Sequence, residues 1–583
     1  MNEKILLTGN EAIARGVWEA GGHLVVAYPG TPSTEITENA AKYLELSAQW
    51  APNEKVALET GIGCSIAGKR VLVAMKHVGL NVAADPLFTA AYTGVNGGLV
   101  IVSADDPGIH SSQNEQDNRH YGRAAKVPVL EPSDSKEAKN FTKLAFVLSE
   151  QFDVPVILRL TTRVAHSQSL VELSPREELP LKGYVKDAGK YVMVPAHAKK
   201  RHVILENKLL ELAKFSDQNK ELNHILWQNR KMGIVASGAV YQYVREALPD
   251  VSVLKIGMSF PLPEKLIKEF AAGVEKLFVV EELEPFMENA IKAMGIEVAG
   301  SEMFPRVGEI FTEDIRAKLG DATARPILPA TGIPVRPPVL CPGCPHRAVF
   351  YVLHKLKLNV SGDIGCYTLG FMPPLSAIDT TICMGASISV AHGMEVAQGR
   401  EMAAKTVAVI GDSTFIHSGI TSLINTVYNG GSSTILILDN SITAMTGHQH
   451  NPATGFDAKG NPAPKLSLAA LVRACGVNRV QIVDAFDLKK LQAALKEELA
   501  VCEPSVIIVE RACALIDKSS RQPALVANQE KCNGCGLCLA LGCPCLIKKV
   551  DGKVEVDAAQ CVGCGLCAAL CQRGALEKTG DEQ

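Results

Sequence analysis

The sequence predicts an α/β protein: several doubly wound parallel-sheet domains, closed at the C-terminus by a small cysteine-rich α+β domain. Two observations carry this. Short apolar runs rich in Val and Ile alternate with glycine turns and helix-like stretches up to about residue 520, the pattern of parallel strands buried on both faces. Beyond that point eight cysteines fall in two tight runs, which a small domain uses to hold metal centres.

Taken in order, VLVAM (71–75), GLVIVSA (98–104) and PVILRL (155–160) read as strands of a first block, with a helix over about 54–69 dotted with Gly and Ala. A second block begins MGIVASGAVYQYVREAL, a strand, a glycine turn and a helix, and continues with VSVLKIG and LFVVEEL. A third holds TVAVIGD, STILILDN and SVIIVER. Each reads as a doubly wound α/β unit. Residues 170–230 carry many charges at helical spacing and read as a solvated helical connector, the lysines forming a wet face. Ser519 to Asn528 reads as the linker to the tail.

At 583 residues the chain is too long for one core, and roughly four domains are expected. A hydrophobic content of 47% with 21% charged residues is ordinary globular material. A net charge of −3 argues against a nucleic-acid or anionic-membrane partner. The N-terminus lacks a basic start followed by an apolar stretch, and no apolar run reaches the ~18 residues of a membrane helix. Seventeen cysteines, many in cluster-type spacing, point to a reducing cytoplasm and not to disulfides.

The first cysteine run is Cys532-x2-Cys535-x2-Cys538-x4-Cys543-Pro544, the second Cys561-x2-Cys564-x2-Cys567-x3-Cys571. Each triplet wraps one corner of an iron–sulfur cube, and the fourth cysteine of each run serves the other cube, as in two-cluster ferredoxins. One [4Fe-4S] cluster is therefore assigned to Cys532, Cys535, Cys538 and Cys571, the second to Cys561, Cys564, Cys567 and Cys543. Two features depart from the usual pattern: four residues before Cys543, and Gln572 where proline is expected. Zinc also takes four cysteines, but its modules space two pairs instead of two triplets. Cys545 reads as a packed spare.

In the third block, TVAVI (406–410) runs into Gly411-Asp412-Ser413, and STILIL (433–438) ends at Asp439-Asn440. Asp412 and Asn440 then stand at the carboxyl ends of parallel strands, where α/β sheets bind ligands. A carboxylate and an amide oxygen suit Mg²⁺, which keeps positions open for phosphate oxygens. Gly411 offers backbone access, and the helix N-terminus favours their charge.

Gly-Asp-Ser followed by Asn after an apolar strand resembles the thiamine diphosphate motif, in which the Asp, the Asn and a carbonyl two residues on (here Asp412, Asn440 and Ile442) hold the metal. AYPGTPSTEI (27–36), MKHVGLNVAADP (75–86), SADDPGIHSSQNEQD (103–117), CPGCPHRAVFY (341–351), SGDIGCYTLG (361–370) and DNSITAMTGHQ (439–449) extend the likeness over nearly the whole chain. It resembles the larger subunits of indolepyruvate:ferredoxin oxidoreductases, a branch of the 2-oxoacid:ferredoxin oxidoreductases. The resemblance implies the thiamine-diphosphate-binding fold: a pyrimidine-binding domain at 1–170, the helical connector at 171–228, a transketolase-C-terminal-like domain at 229–330, a diphosphate- and Mg-binding domain at 331–520, and a two-cluster ferredoxin-like α+β domain at 521–583. It implies oxidative decarboxylation of an arylpyruvate such as indole-3-pyruvate with CoA, electrons passing through two [4Fe-4S] clusters to ferredoxin. A smaller beta subunit is implied as partner, in a heterodimer or heterotetramer.

The resemblance also implies residue roles. Glu59, in the small, apolar stretch ETGIGCSIAG, takes the place of the family's catalytic glutamate, and burial there would raise its pKa; Glu54 is the rival. Thr31 stands where related enzymes hold the substrate carboxylate; its alternative is a helix N-cap. Lys76, His77, Arg163 and His166 all compete to supply the cation that a carboxylate needs. Cys341-Pro-Gly343-Cys344 is expected to be a loop against the diphosphate, Gly343 giving backbone access. A third cluster there lacks a second cysteine pair, since Cys366 and Cys383 each stand alone in sequence.

Overall fold

An unbroken run of Val, Ile and Leu suits a strand covered on both faces. In the computed structural model, which describes residues 3–180, 182–320, 331–334 and 336–578, the runs named above become parallel strands. The chain forms two units, Met1–Thr331 and Gly332–Gln583.

The first unit contains a seven-stranded sheet in the order Met258–Phe260, Val129–Leu130, Val156–Thr161, Leu99–Asp105, Val71–Lys76, Leu24–Ala27 and Ser47–Trp50. Its pairs are parallel except at the Met258–Phe260 edge. Strand order reverses between Leu24–Ala27 and Val71–Lys76, and the loops leaving that switch point are where such sheets take ligands. Helix Glu54–Ile66 starts where the Asn53 side chain accepts from the Val56 N–H at 2.9 Å. Helix Ser135–Phe152 starts the same way at Asp134. A second sheet runs Leu277–Val280, Asn229–Ser237, Val251–Ile256 and His224–Leu226, the last antiparallel.

Strand Met258–Phe260 of the middle block closes the edge of the first sheet. One expectation is corrected here. The connector is not simply a wet helix. In helix Pro195–Gln218, Leu205 and Leu212 are buried, and Arg201 and Lys208 reach Asp153 at 3.0 and 2.7 Å, beside Lys190 at 2.8 Å. The expected domain end at residue 330 lies outside the described residues.

Buried ions tie the two sheets of this unit together. Arg159 pairs with Asp105 and Glu131, each at 2.6 Å. Arg119 pairs with Asp117 at 2.5 Å and, across to the second sheet, with Glu281 at 2.7 Å. Burial drives Asp105 up to about 7, against the pull of Arg159.

The second unit has an all-parallel sheet in the order Asn359–Ser361, Thr406–Gly411, Thr434–Asp439, Ser505–Glu510 and Arg479–Asp484. Its tail is two small antiparallel ribbons, Leu525–Ala527 with Leu576–Lys578 and Leu546–Lys548 with Val554–Val556. Leu541 and Leu566 of the tail pack on Ala348 of the sheet domain. Among the described residues no helix is long and apolar enough to cross a membrane.

Removing one member of a buried ion cluster leaves a charge uncompensated, which costs roughly 3–5 kcal/mol. Arg119→Met is therefore expected to lower the urea midpoint of the first unit's unfolding. An unchanged midpoint would show that the cluster contributes nothing.

Candidate active site and electron-transfer sites

At the carboxyl edge of the second unit's sheet, register decides the site. Gly411 pairs with Leu438, so Asp412 and Asn440 emerge side by side. The Asn440 side-chain oxygen lies 3.3 Å from Asp412 Oδ1 and 2.7 Å from the Ile442 carbonyl oxygen. Three acceptor oxygens turned on one another repel unless the amide is reversed or a cation stands among them. A carboxylate, an amide oxygen and a backbone carbonyl are the donor set of a hard divalent ion, so the residues present fit one. Burial pushes Asp412 up to about 7, helped by the neighbouring Asp439, and a cation would reverse that shift. Asn451 donates to Asp412 Oδ2 at 3.3 Å. Ser413 is buried in the first turn of the helical stretch that continues, through a π-helical turn at Phe415–Gly419, into helix Ile420–Tyr428.

Two glycine roles differ from expectation. At Gly411 an added Cβ would meet the Tyr367 ring at 2.7 Å, so the missing side chain makes room for Tyr367. Gly343, at φ 72°, is pressed against the tail: a Cβ there would meet Val562 at 2.6 Å and the Cys564 Cβ at 3.7 Å. The Cys341–Cys344 turn thus packs against the ferredoxin-like tail.

In the first unit the switch-point loops bring Thr31, Lys76 and Glu54 together. A Cβ on Gly30 would meet the Lys76 Cβ at 3.0 Å, and the Thr31 carbonyl accepts from Ser111 at 3.4 Å. Thr31 does not cap a helix; Ser33 precedes helix Thr34–Ala40. Of the candidate cations, Arg163 is forked onto Glu309 at 2.5 and 2.6 Å. His166 faces Glu35 at 3.6 Å, and His77 is buried against Asn114. Lys76 donates to the Ser111 carbonyl; burial lowers it to about 8, with Asp106 and Glu54 pulling the other way. The expected burial of Glu59 is not found. Its side chain is 46% exposed and paired with Lys55, while Glu54 is 5% exposed, against Gly79.

Cys532, Cys535, Cys538 and Cys571 line one cavity. Burial raises Cys567 to about 12, with Cys564, Cys543, Cys561 and Cys538 adding to the rise. Cys545 is buried, as expected for a packed thiol.

A further set joins residues distant in sequence. Burial raises Cys344 to about 12, with Cys341 and Cys366 adding to the rise. Burial likewise raises Cys366 to about 11, with Cys513 and Cys341 contributing. Cys341, Cys344, Cys366 and Cys513, from three segments, are thus near enough to influence one another's charge, and Cys513 is fixed beside the oxygen cluster by its N–H to the Asn440 carbonyl at 3.0 Å. Burial raises Cys341, Cys344 and Cys366; cysteines bind a metal centre as thiolates, so a bound centre would reverse those shifts. No spacing rule could have found Cys366 and Cys513; only the sheet edge unites them with the turn.

Family models agree with these parts. The thiamine diphosphate-binding domain of pyruvate flavodoxin/ferredoxin oxidoreductases matches residues 15–232. The C-terminal thiamine pyrophosphate-binding domain of thiamine pyrophosphate enzymes matches 363–509, and a 4Fe-4S binding domain matches 554–577. Fold and site define a thiamine-diphosphate-dependent 2-oxoacid:ferredoxin oxidoreductase. Among curated relatives, "Indolepyruvate oxidoreductase subunit IorA" of Archaeoglobus fulgidus is 42% identical over 99% of this chain and 97% of its own. The proteins of that name from Pyrococcus horikoshii and Methanothermobacter thermautotrophicus are 41% and 40% identical, over 99% of this chain and 97% and 98% of theirs. The chain belongs to this indolepyruvate oxidoreductase subunit family.

Asp412→Ala is expected to weaken Mg²⁺ and thiamine diphosphate binding together, by roughly 100-fold or more, in calorimetric titration of the folded protein. Unchanged binding of either would remove Asp412 from the site.

Proposed function

We propose that the chain carries out oxidative decarboxylation of an aryl 2-oxoacid, indole-3-pyruvate by preference. The products are the aryl-acetyl-CoA, CO₂ and two electrons for ferredoxin. The observation that carries this reading is the adjacency of the Asp412–Asn440–Ile442 oxygens to Cys513, which joins a cation site to the first of three thiol sets. The aryl preference rests on the names of the relatives. Thiamine diphosphate supplies an electron sink for decarboxylation and iron–sulfur clusters supply one-electron carriers.

Asp412, Asn440 and the Ile442 carbonyl would hold Mg²⁺, and the helix start at Asp412–Ser413 favours the charge of the diphosphate. Glu54, the buried carboxyl of its helix, takes the aminopyrimidine-facing role expected of Glu59: a carboxyl shielded from water can hold a proton on a ring nitrogen. Lys76 and Thr31 would hold the substrate carboxylate, since Arg163 is forked onto Glu309 and His166 faces Glu35, whereas Lys76 meets a backbone carbonyl. Cys341, Cys344, Cys366 and Cys513 would ligate an inner [4Fe-4S] cluster, and the tail sets two more. The family name marks the chain as a subunit, so a smaller partner chain is expected.

The experiment is anaerobic viologen-dye reduction by the chain co-expressed with its partner, comparing indolepyruvate, phenylpyruvate, pyruvate and 2-oxoisovalerate with and without CoA. CoA-dependent activity led by the aryl acids supports the reading, and a lead for pyruvate or 2-oxoisovalerate overturns the substrate.

Glu54→Gln is expected to lower kcat about 10²- to 10⁴-fold, and Glu59→Gln by less than about threefold, since an exposed ion pair is worth little. The reverse ranking would restore Glu59. Lys76 is charged below about 8 and loses its charge as pH rises through that value. KM for the acid should therefore climb above pH 8, approaching about tenfold per pH unit, and Lys76→Arg should flatten the climb. An equal climb in the arginine variant would exclude Lys76.

A further inference from the structure

Arg347 lies in the first turn of helix His346–Leu356, directly after the Cys341–Cys344 turn, and is 3% exposed. Its Nε donates to the Cys341 carbonyl at 3.2 Å and its Nη2 to that of Leu340. Its Nη1 donates to the Leu541 carbonyl at 3.1 Å and to that of Gly542. Two acceptors thus belong to the inner thiol loop and two to the segment that leads into Cys543 of the tail.

Neutral carbonyls satisfy the guanidinium's hydrogen bonds but not its charge, and a buried charge without a counter-charge is costly. Burial lowers the Arg347 pKa, and the groups that oppose this are Cys543, Cys344, Cys341 and Cys545, which carry a counter-charge only when ionised, as metal ligands are. By contrast Arg511, which also lies near a tail thiol, Cys564, is neutralised by Asp484 at 2.7 Å. If docking were the sole need, a neutral donor would serve those carbonyls. What calls for a cation is negative charge on both sides, and an iron–sulfur cube with four thiolates is anionic, more so when reduced.

We propose that Arg347 is an electrostatic positioning residue of the electron path. Its fixed positive charge stands between the inner four-cysteine site and the tail cluster that Cys543 ligates, holds both loops in one frame, and favours the reduced form of those clusters. The step it serves moves one electron: the inner cluster is oxidised as the tail cluster is reduced, with no bond made or broken. This rests on the reading of Cys341, Cys344, Cys366 and Cys513 as cluster ligands.

The test is an EPR-monitored redox titration of the anaerobic holoenzyme, with iron per chain counted alongside, for the wild type, Arg347→Gln and Arg347→Lys. Arg347→Gln should keep its iron and shift at least one midpoint negative. At a fixed potential the reduced-to-oxidised ratio should fall about tenfold, which for a one-electron couple is about 59 mV. Arg347→Lys keeps the charge without the fork and should hold the wild-type midpoints. Wild-type midpoints in an iron-replete Arg347→Gln protein would overturn the proposal, as would equal shifts in both variants. If Arg347→Gln loses iron, Arg347→Lys decides alone: wild-type midpoints support the charge and a negative shift overturns it. A wild-type titration with only two components would remove the inner-cluster reading, and the proposal with it.

Discussion

Strand register sets Asp412, Asn440 and the Ile442 carbonyl side by side, and the chemistry proposed for this chain depends on that. Asp412 and Asn440 stand next to each other because Thr406–Gly411 and Thr434–Asp439 run parallel in fixed register. Both strands are buried along their length, so a slip would expose apolar faces to water. The Ile442 carbonyl completes a set that only a cation or a reversed amide can reconcile.

The same edge carries the link to the cysteines. Asp439 pairs with Glu510, and the chain leaving that strand places Cys513 against the Asn440 carbonyl. Cys513 and Cys366 then meet the Cys341–Cys344 turn, whose glycine is pressed on Cys564 of the tail. The route from cation site to tail therefore runs through contacts set by one sheet and one turn.

Legibility in the sequence followed the range of the interactions. Triplet spacing made the iron–sulfur character of the tail readable, because the three cysteines of each triplet lie within a few residues of each other. Asp412 and Asn440 were readable because strand ends are marked by where apolar runs stop. Cys366 and Cys513 were not, since sheet closure alone unites them with Cys341 and Cys344. The exposure of Glu59 was not readable either, for a different reason. Helix Glu54–Ile66 carries small and apolar residues on all sides, so no periodic signal marks its inner face. Five residues turn a helix by about 140°, which puts Glu54 and Glu59 on different faces. Gly411 and Gly343 were read as openings for phosphate, whereas each makes room for a side-chain or chain neighbour in the fold.

The central claim is that electrons from a 2-oxoacid enter clusters held by this chain. The most direct measurement mixes oxidised, anaerobic holoenzyme with indolepyruvate and CoA, without ferredoxin, and follows the clusters by freeze-quench EPR. Reduced-cluster signals that rise within turnover time are the predicted result. Clusters that stay oxidised with the acid, yet are reduced by dithionite, would contradict the account.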